Sequence, residues 1–145
     1  MSHFNPKKEF TISFPIDKVK EAINKLIASE SDIYSVVSES KALGQIRIHK
    51  KGFGFDLGYD AEFDLQKVSD TETKVTIEMM RHIGTITSSH EMSMSSEYLN
   101  EITTKFGAIL EGNIDPSTGR ANIPKPSGCL VFIIAGIAYI LYQLL

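Results

Sequence analysis

Arg81 is the side chain whose type and position most favour binding chemistry. Apolar and polar residues alternate from position 75 to position 79, and the alternation continues through Arg81 to Ile83, as on one face of a half-buried strand. This spacing predicts an inward-pointing guanidinium, which would need an anionic partner such as a ligand carboxylate or phosphate. The alternative is that the strand reaches the rim of its sheet here and that Arg81 extends to water.

Two histidines, His82 and His90, flank a predicted turn after this strand. Their spacing does not place two metal ligands on one face of a helix, and no carboxylate in the sequence is obviously positioned to orient either ring. The single cysteine, Cys129, excludes a cysteine-based zinc cluster. We therefore predict no metal site and no cofactor.

Acidic residues alternate along the preceding strand-like segment, at Asp56, Asp60, Glu62 and Asp64. Paired carboxylates serve glycosidases and calcium sites, but these four lie on a predicted solvent face, where acidic side chains are usually only hydrated. The G-x-S-x-G motif of serine hydrolases is absent from the sequence. We assign these carboxylates no role and predict no catalytic residue.

The segment HKKGFGF completes neither the dinucleotide-binding motif nor the P-loop motif. Lys50, Lys51 and Phe53 in it are instead typical of a basic, aromatic hairpin tip that contacts anionic lipid headgroups. The alternative is a plain turn in which glycine permits a sharp bend. The three residues are candidates for membrane contact.

The elements that must position these residues form a predicted α+β domain. Residues 9–14 alternate as a half-buried strand, and the apolar spacing from Ile16 to Ile27 predicts an amphipathic helix. A later apolar stripe predicts a second helix that begins at Ser95 or Ser96 and stops at Gly112. Further strands are predicted at about 33–39, 44–50, 53–68 and 73–83, with a possible short strand at 85–88. We expect an antiparallel sheet of five to six strands packed on two helices.

The segment FPIDKVKEAINKLI, in which a proline-bearing turn feeds the first helix, and the order of the elements resemble the START-like (SRPBCC) helix-grip superfamily. That superfamily includes polyketide cyclase-like and Bet v 1-like proteins, and the resemblance covers about residues 9–112. It implies a cavity between the sheet and the last helix for a lipid or another apolar molecule. The candidate lining consists of Tyr59, Phe63, Ile77, Met79, Arg81, Tyr98, Ile102 and Phe106. The alternative is that these side chains fill an ordinary core without a hollow.

Residues 128–145, GCLVFIIAGIAYILYQLL, carry no charged side chain and predict a single transmembrane helix. At ~1.5 Å per residue the helix would extend roughly 27 Å, close to the ~30 Å hydrocarbon thickness. This run resembles the anchor of a tail-anchored protein, and Ala135, Gly136 and Ala138 favour close packing with another membrane helix. Arg120 and Lys125 favour a cytoplasmic N-terminal domain. The alternative is a buried C-terminal core helix.

The predicted organisation is a soluble domain over 1–112, a linker over 113–127 and the membrane helix over 128–145. Prolines and a glycine in the linker predict a semi-stiff tether. The net charge of -3 gives no positive field to gather phosphates, so we expect no nucleic-acid partner.

The predicted function is that of a membrane-tethered, non-enzymatic domain, which binds or presents a lipid or another apolar ligand at the cytoplasmic membrane face. The expected partners are the lipid bilayer and that ligand. The alternative function is an accessory or structural subunit, or an adaptor, of a larger membrane protein complex, which the C-terminal helix would contact.

Overall fold

The computed structural model describes residues 4–123, which form an antiparallel sheet of five strands and two helices. The strands are β1 (Lys7–Ile12), β2 (Tyr34–Ser40), β3 (Gln45–Lys50), β4 (Tyr59–Lys67) and β5 (Thr73–Arg81), and the helices are α1 (Ile16–Ser29) and α2 (Ser89–Leu110). The order of strands in the sheet is β1-β5-β4-β3-β2. The predicted α+β class, with an antiparallel sheet packed on two helices, is confirmed.

The sheet has one apolar face because its central strands alternate with a period of two. The odd-numbered residues from Tyr59 to Leu65 in β4 and from Thr73 to Met79 in β5 are buried, and both helices direct their apolar stripes at this face. The shared core includes Tyr59, Phe63, Val75, Ile77 and Met79 from the sheet, Val19, Ile23 and Leu26 from α1, and Leu99, Ile102 and Phe106 from α2.

Helix α2 begins earlier than the sequence predicted. Ser88 caps it, since its hydroxyl oxygen accepts a hydrogen bond of 3.1 Å from the backbone N–H of Glu91. Serine followed three positions later by glutamate is a known helix-start pattern. The predicted start at Ser95 or Ser96 was therefore wrong, and Ser95 is buried inside the helix.

Strand β4 begins later than predicted, because residues 51–58 form a loop. Gly54 and Gly58 adopt positive φ angles of 67° and 87°, which interrupt an extended strand. As a result Phe53 and Phe55 are exposed instead of continuing the apolar face. The possible strand at 85–88 is also absent from the described chain, where Ile86 is buried without strand pairing.

The chain turns back on itself after α2. The backbone N–H of Asn113 bonds to the carbonyl of Ala108, and Ile114 pairs with Ala121 in an isolated bridge. Ile114 and Ala121 also pack against the core, so the first part of the predicted tether is folded onto the domain.

Residues 124–145 lie outside the described residues. They include the predicted transmembrane helix and its small residues Ala135, Gly136 and Ala138. Within residues 4–123, neither helix combines the length and the apolar composition that a membrane crossing requires.

Candidate functional site

The predicted ligand-lining residues lie together between the sheet and α2. Six of them are almost completely buried, and the rings of Phe63 and Phe106 meet edge to face with centroids 5.5 Å apart. These six are Tyr59, Phe63, Ile77, Met79, Ile102 and Phe106. A groove of about 390 Å³ lies elsewhere, between α1 and residues 114–119, and none of the six lines it. A ligand between sheet and helix would therefore have to displace side chains that contact one another.

One end of this layer is closed by four side chains, Lys50, Tyr59, Arg81 and Tyr98, which we call the aromatic end. Lys50 is the last residue of β3, Tyr59 the first of β4 and Arg81 the last of β5, so all three meet at the same end of the three central strands. The Tyr59 and Tyr98 rings lie 5.3 Å apart. The Lys50 ammonium is 4.2 Å from the centre of the Tyr98 ring, and the Arg81 guanidinium is 4.6 Å from that of Tyr59. Cations over aromatic faces are attracted by the ring quadrupole.

The anionic partners of Arg81 belong to the protein itself. Its Nη1 lies 2.9 Å from Oδ1 of Asp56, and its Nε lies 3.9 Å from a carboxylate oxygen of Glu91. Burial alone would lower the pKa of Arg81, but contacts with Tyr59 and Asp56 outweigh it and raise that pKa. Arg81 thus occupies the rim of the sheet, largely covered and paired.

The loop 51–58 projects from the aromatic end and exposes its apolar side chains. Phe53 is 96% exposed, and Phe55 is fully exposed. Lys51 is also exposed, whereas Lys50 turns back onto Tyr98. Asp56 shapes the loop, since Oδ1 accepts a 2.9 Å hydrogen bond from the N–H of Gly58. Of the candidate membrane-contact residues, Lys51 and Phe53 thus lie in the exposed loop and Lys50 at the end of β3.

A second polar cluster lies on the opposite, outer face of the sheet and is centred on Asp60. This carboxylate is only 1% exposed. Its Oδ1 lies 3.0 Å from Nδ1 of His49 and 2.8 Å from Nδ1 of His82, while Oδ2 accepts a 2.7 Å bond from Nε of Arg47. The expectation that Asp60 is a hydrated surface residue was wrong, because three neighbouring side chains cover it.

The net effect of these neighbours is to keep Asp60 ionised. Burial by itself would raise the pKa of the carboxyl, but the hydrogen bonds from His49, His82 and Arg47 reverse the sign and lower it. The two imidazole rings lie 4.2 Å apart at a tilt of 49°. Asp60 is thus a buried anion shared by two titratable rings and a guanidinium.

Comparisons with known proteins bear on the fold alone. No family model matches the sequence, and no curated protein matches it. Among solved structures, a protein from Thermobifida fusca has 8% sequence identity and a TM-score of 0.53, covering 73% of this chain and 89% of that one. At this identity the similarity shows a shared fold.

Two further structures match at slightly lower TM-scores. Ara h 8.0201 matches with 9% identity and a TM-score of 0.49, covering 77% of this chain and 97% of its own. A START superfamily protein from Mycobacterium smegmatis matches with 8% identity and a TM-score of 0.48, covering 77% and 96%. The predicted helix-grip arrangement, with a strand, a helix, an antiparallel meander and a long closing helix, is confirmed in the element order.

The sequence analysis does not predict the outer-face cluster, although the strand register would have indicated it. His49 and Asp60 are direct partners across β3 and β4, and Asp60 pairs across β4 and β5 with Met80, two residues before His82. Extending the predicted hairpins by register would have brought the three together. His90, the other histidine near His82 in the sequence, is exposed on α2 and lies outside the cluster.

Proposed function

We propose that this START-like domain binds a lipid or another apolar small molecule between its sheet and α2, and that its aromatic end faces a membrane surface. The observation that carries the proposal is the exposure of Phe53 and Phe55 on the loop beside Lys50 and Lys51. Two almost fully solvated phenyl rings in one loop are unfavourable in water, and exposed apolar patches commonly mark contact sites.

The magnitudes favour a contact that orients the domain and does not anchor it. Full burial of a phenylalanine side chain contributes roughly 1.5–3 kcal/mol. A lysine near an anionic membrane surface adds about 1 kcal/mol. Phe53, Phe55 and Lys51 together support reversible attachment, and the apolar segment 128–145 would supply the permanent tether.

The same end offers an entrance to the apolar layer. Tyr59 and Tyr98 meet there, and Tyr59 belongs to the same buried apolar cluster as Phe63 and Met79. A ligand that enters must separate α2 from the sheet at this contact. Lys50, at the same end of the sheet, favours a ligand whose polar end is anionic, whereas Arg81 is already paired with Asp56.

Photolabelling tests the proposal. The full-length protein is reconstituted into anionic vesicles that contain a phospholipid with a diazirine on its acyl chain, irradiated and mapped by peptide mass spectrometry. We expect labels on the loop 51–58 and on peptides containing Tyr59 or Tyr98. Leu43 serves as the internal control, because it is 67% exposed in the turn at the opposite end of β3.

The outcomes separate the two candidate functions. Labelling of the loop and of buried residues behind Tyr59 supports ligand binding at the membrane surface. Labelling of Leu43 to the same extent as Phe53, or of no residue within 4–123, contradicts it. A stoichiometric membrane protein that co-purifies while the domain stays unlabelled would support the adaptor function instead.

A further inference from the structure

Three metal-ligand side chains converge on the outer face of the sheet. The Nδ1 atoms of His49 and His82 both approach Oδ1 of Asp60, and the three ligand atoms lie within 4.8 Å of one another. In a tetrahedral zinc site, metal–ligand bonds of about 2.0–2.2 Å place neighbouring ligand atoms about 3.3–3.6 Å apart. The observed separations of 3.0 Å and 2.8 Å to Oδ1 therefore need to widen by roughly half an ångström, which small side-chain rotations supply.

Rigid backbone holds these side chains in place. His49 and Asp60 are paired across adjacent central strands, and the N–H of His82 bonds to the carbonyl of Gly58 at 3.2 Å. A side chain at position 58 would collide with the carbonyl oxygen of Lys50 and press on the His49 ring. The glycine therefore allows the His49 ring to lie against the start of β4.

The surroundings of the cluster also suit a metal site. Arg47 bonds to Oδ2 of Asp60, which fixes the carboxylate and leaves Oδ1 toward the imidazoles, as outer partners of metal ligands commonly do. The His49 and His82 side chains are 22% and 34% exposed, so an ion can enter from solvent and keep a water ligand. Two imidazoles and one carboxylate with an open position are typical of zinc and related transition metals.

We propose that His49, Asp60 and His82 bind one divalent first-row transition-metal ion, with Zn²⁺ as the preferred species. The Nδ1 proton of each neutral ring moves through solvent to Nε2, so that Nδ1 can coordinate, and no net proton is lost from a neutral ring. The positive charge of Arg47 moderates the affinity, so we expect dissociation constants in the micromolar range. This site lies on the face opposite to α2 and is independent of the proposed ligand site.

A cobalt titration of the full-length protein tests the proposal. The chain has four histidines and one cysteine. Replacing His3 and His90 by glutamine and Cys129 by serine leaves His49 and His82 as the only histidines in the chain. In this background we expect one Co²⁺ per chain, with visible absorption bands that one equivalent of Zn²⁺ abolishes.

Single changes in that background identify the ligands. Asp60→Asn, His49→Gln and His82→Gln should each weaken binding by a factor of about 100 or more. Glu62→Gln, which removes a carboxylate two residues along the same face of β4, is the matched control and should bind like the background. Circular dichroism without metal checks that each variant is folded. Because His82 is partly exposed, we expect His82→Gln to fold, so this variant still tests the site if Asp60→Asn unfolds. Absence of the absorption bands in the background, or equal affinity in His82→Gln and Glu62→Gln, would overturn the proposal.

Discussion

The guanidinium of Arg81 lies 2.9 Å from a carboxylate oxygen of Asp56, and this ion pair ties the end of β5 to the loop 51–58. Asp56 uses the same oxygen to accept a hydrogen bond from Gly58 within the loop. One carboxylate therefore shapes the loop and docks it on the sheet. The position of Phe53 and Phe55 relative to the aromatic end depends on this connection.

Removal of the carboxylate should loosen the loop without unfolding the domain. Because the Asp56 side chain is 38% exposed, Asp56→Ala should cost at most about 1 kcal/mol of unfolding free energy. Hydrogen–deuterium exchange of the amides of residues 51–58 should become faster, while β1 and α1 stay unchanged. Asp64→Ala, at an exposed position of β4, is the control. Unchanged exchange of the loop in Asp56→Ala would show that the ion pair does not hold it.

Tyr98 should control access to the apolar layer. Tyr98→Ala removes the ring that contacts Tyr59 and Lys50 and should increase acyl-chain photolabelling of peptides that contain Tyr59. Tyr98→Phe keeps the ring and should label like the original protein. If Tyr98→Ala labels less than Tyr98→Phe, the entrance does not lie at this contact.

Lys105 should be essential to stability because it neutralises a buried acid. Its ammonium lies 2.9 Å from Glu30 at the end of α1 and 2.9 Å from Glu101 one turn earlier on α2. Burial opposes its charge, yet these partners raise the pKa of Lys105. Lys105→Met leaves the buried Glu30 carboxylate without this positive partner. It should lower the free energy of unfolding, measured in urea, by about 3 kcal/mol. Adding Glu30→Gln should recover part of that loss, and a Lys105→Met variant of unchanged stability would contradict this assignment.

Tyr34 should make the domain sensitive to alkaline pH. Burial raises the pKa of Tyr34 to about 12, from about 10 in an unfolded chain. Below pH ~10 both states are protonated and the contribution is constant; above it only the unfolded state loses the proton, so stability falls until pH ~12. Tyr34→Phe should flatten this part of the stability curve, measured by urea unfolding between these pH values. An identical decline in both proteins would assign it to other groups.

Tyr34→Phe should also cost little stability at neutral pH. The Tyr34 hydroxyl has no hydrogen-bond partner among residues 4–123, so its removal leaves no donor or acceptor there without a partner. A loss of more than about 1 kcal/mol would indicate that the hydroxyl is satisfied by a bound water.

The fold was accessible from sequence where a periodic pattern extends over a whole element. The alternation around Phe63 and Ile77 specified the buried face of the sheet, and the stripe from Leu99 to Phe106 specified α2. The predicted bounds of β4 and α2 were wrong where local backbone conformation and helix capping, not the apolar pattern, determine where an element begins. Gly54 and Gly58 turned a strand-like pattern into a loop, and the cap formed by Ser88 and Glu91 started α2 earlier than its apolar stripe indicated.

The candidate sites were harder to predict because they depend on register across strands. In the sequence Asp60 is one of several alternating acids. What distinguishes it from Asp64 is the register of β4, which places Asp60 opposite His49 and Asp64 opposite Gln45. The sequence left open whether Arg81 meets an anion or extends to water from the rim of the sheet, because its partner Asp56 lies in a loop whose shape the sequence did not reveal. Such contacts join residues distant in the chain, for which periodicity carries no information.

A tryptophan reporter in the loop is the most direct test of membrane contact at the aromatic end. The chain contains no tryptophan, so Phe53→Trp introduces a single reporter, and Leu43→Trp provides the matched control at the opposite end of β3. In anionic vesicles carrying the full-length protein, we predict a blue-shifted emission from the Phe53→Trp protein that brominated lipids quench, and an unshifted, unquenched emission from the Leu43→Trp protein. A Phe53→Trp emission as red and as unquenched as that of the control would contradict the account.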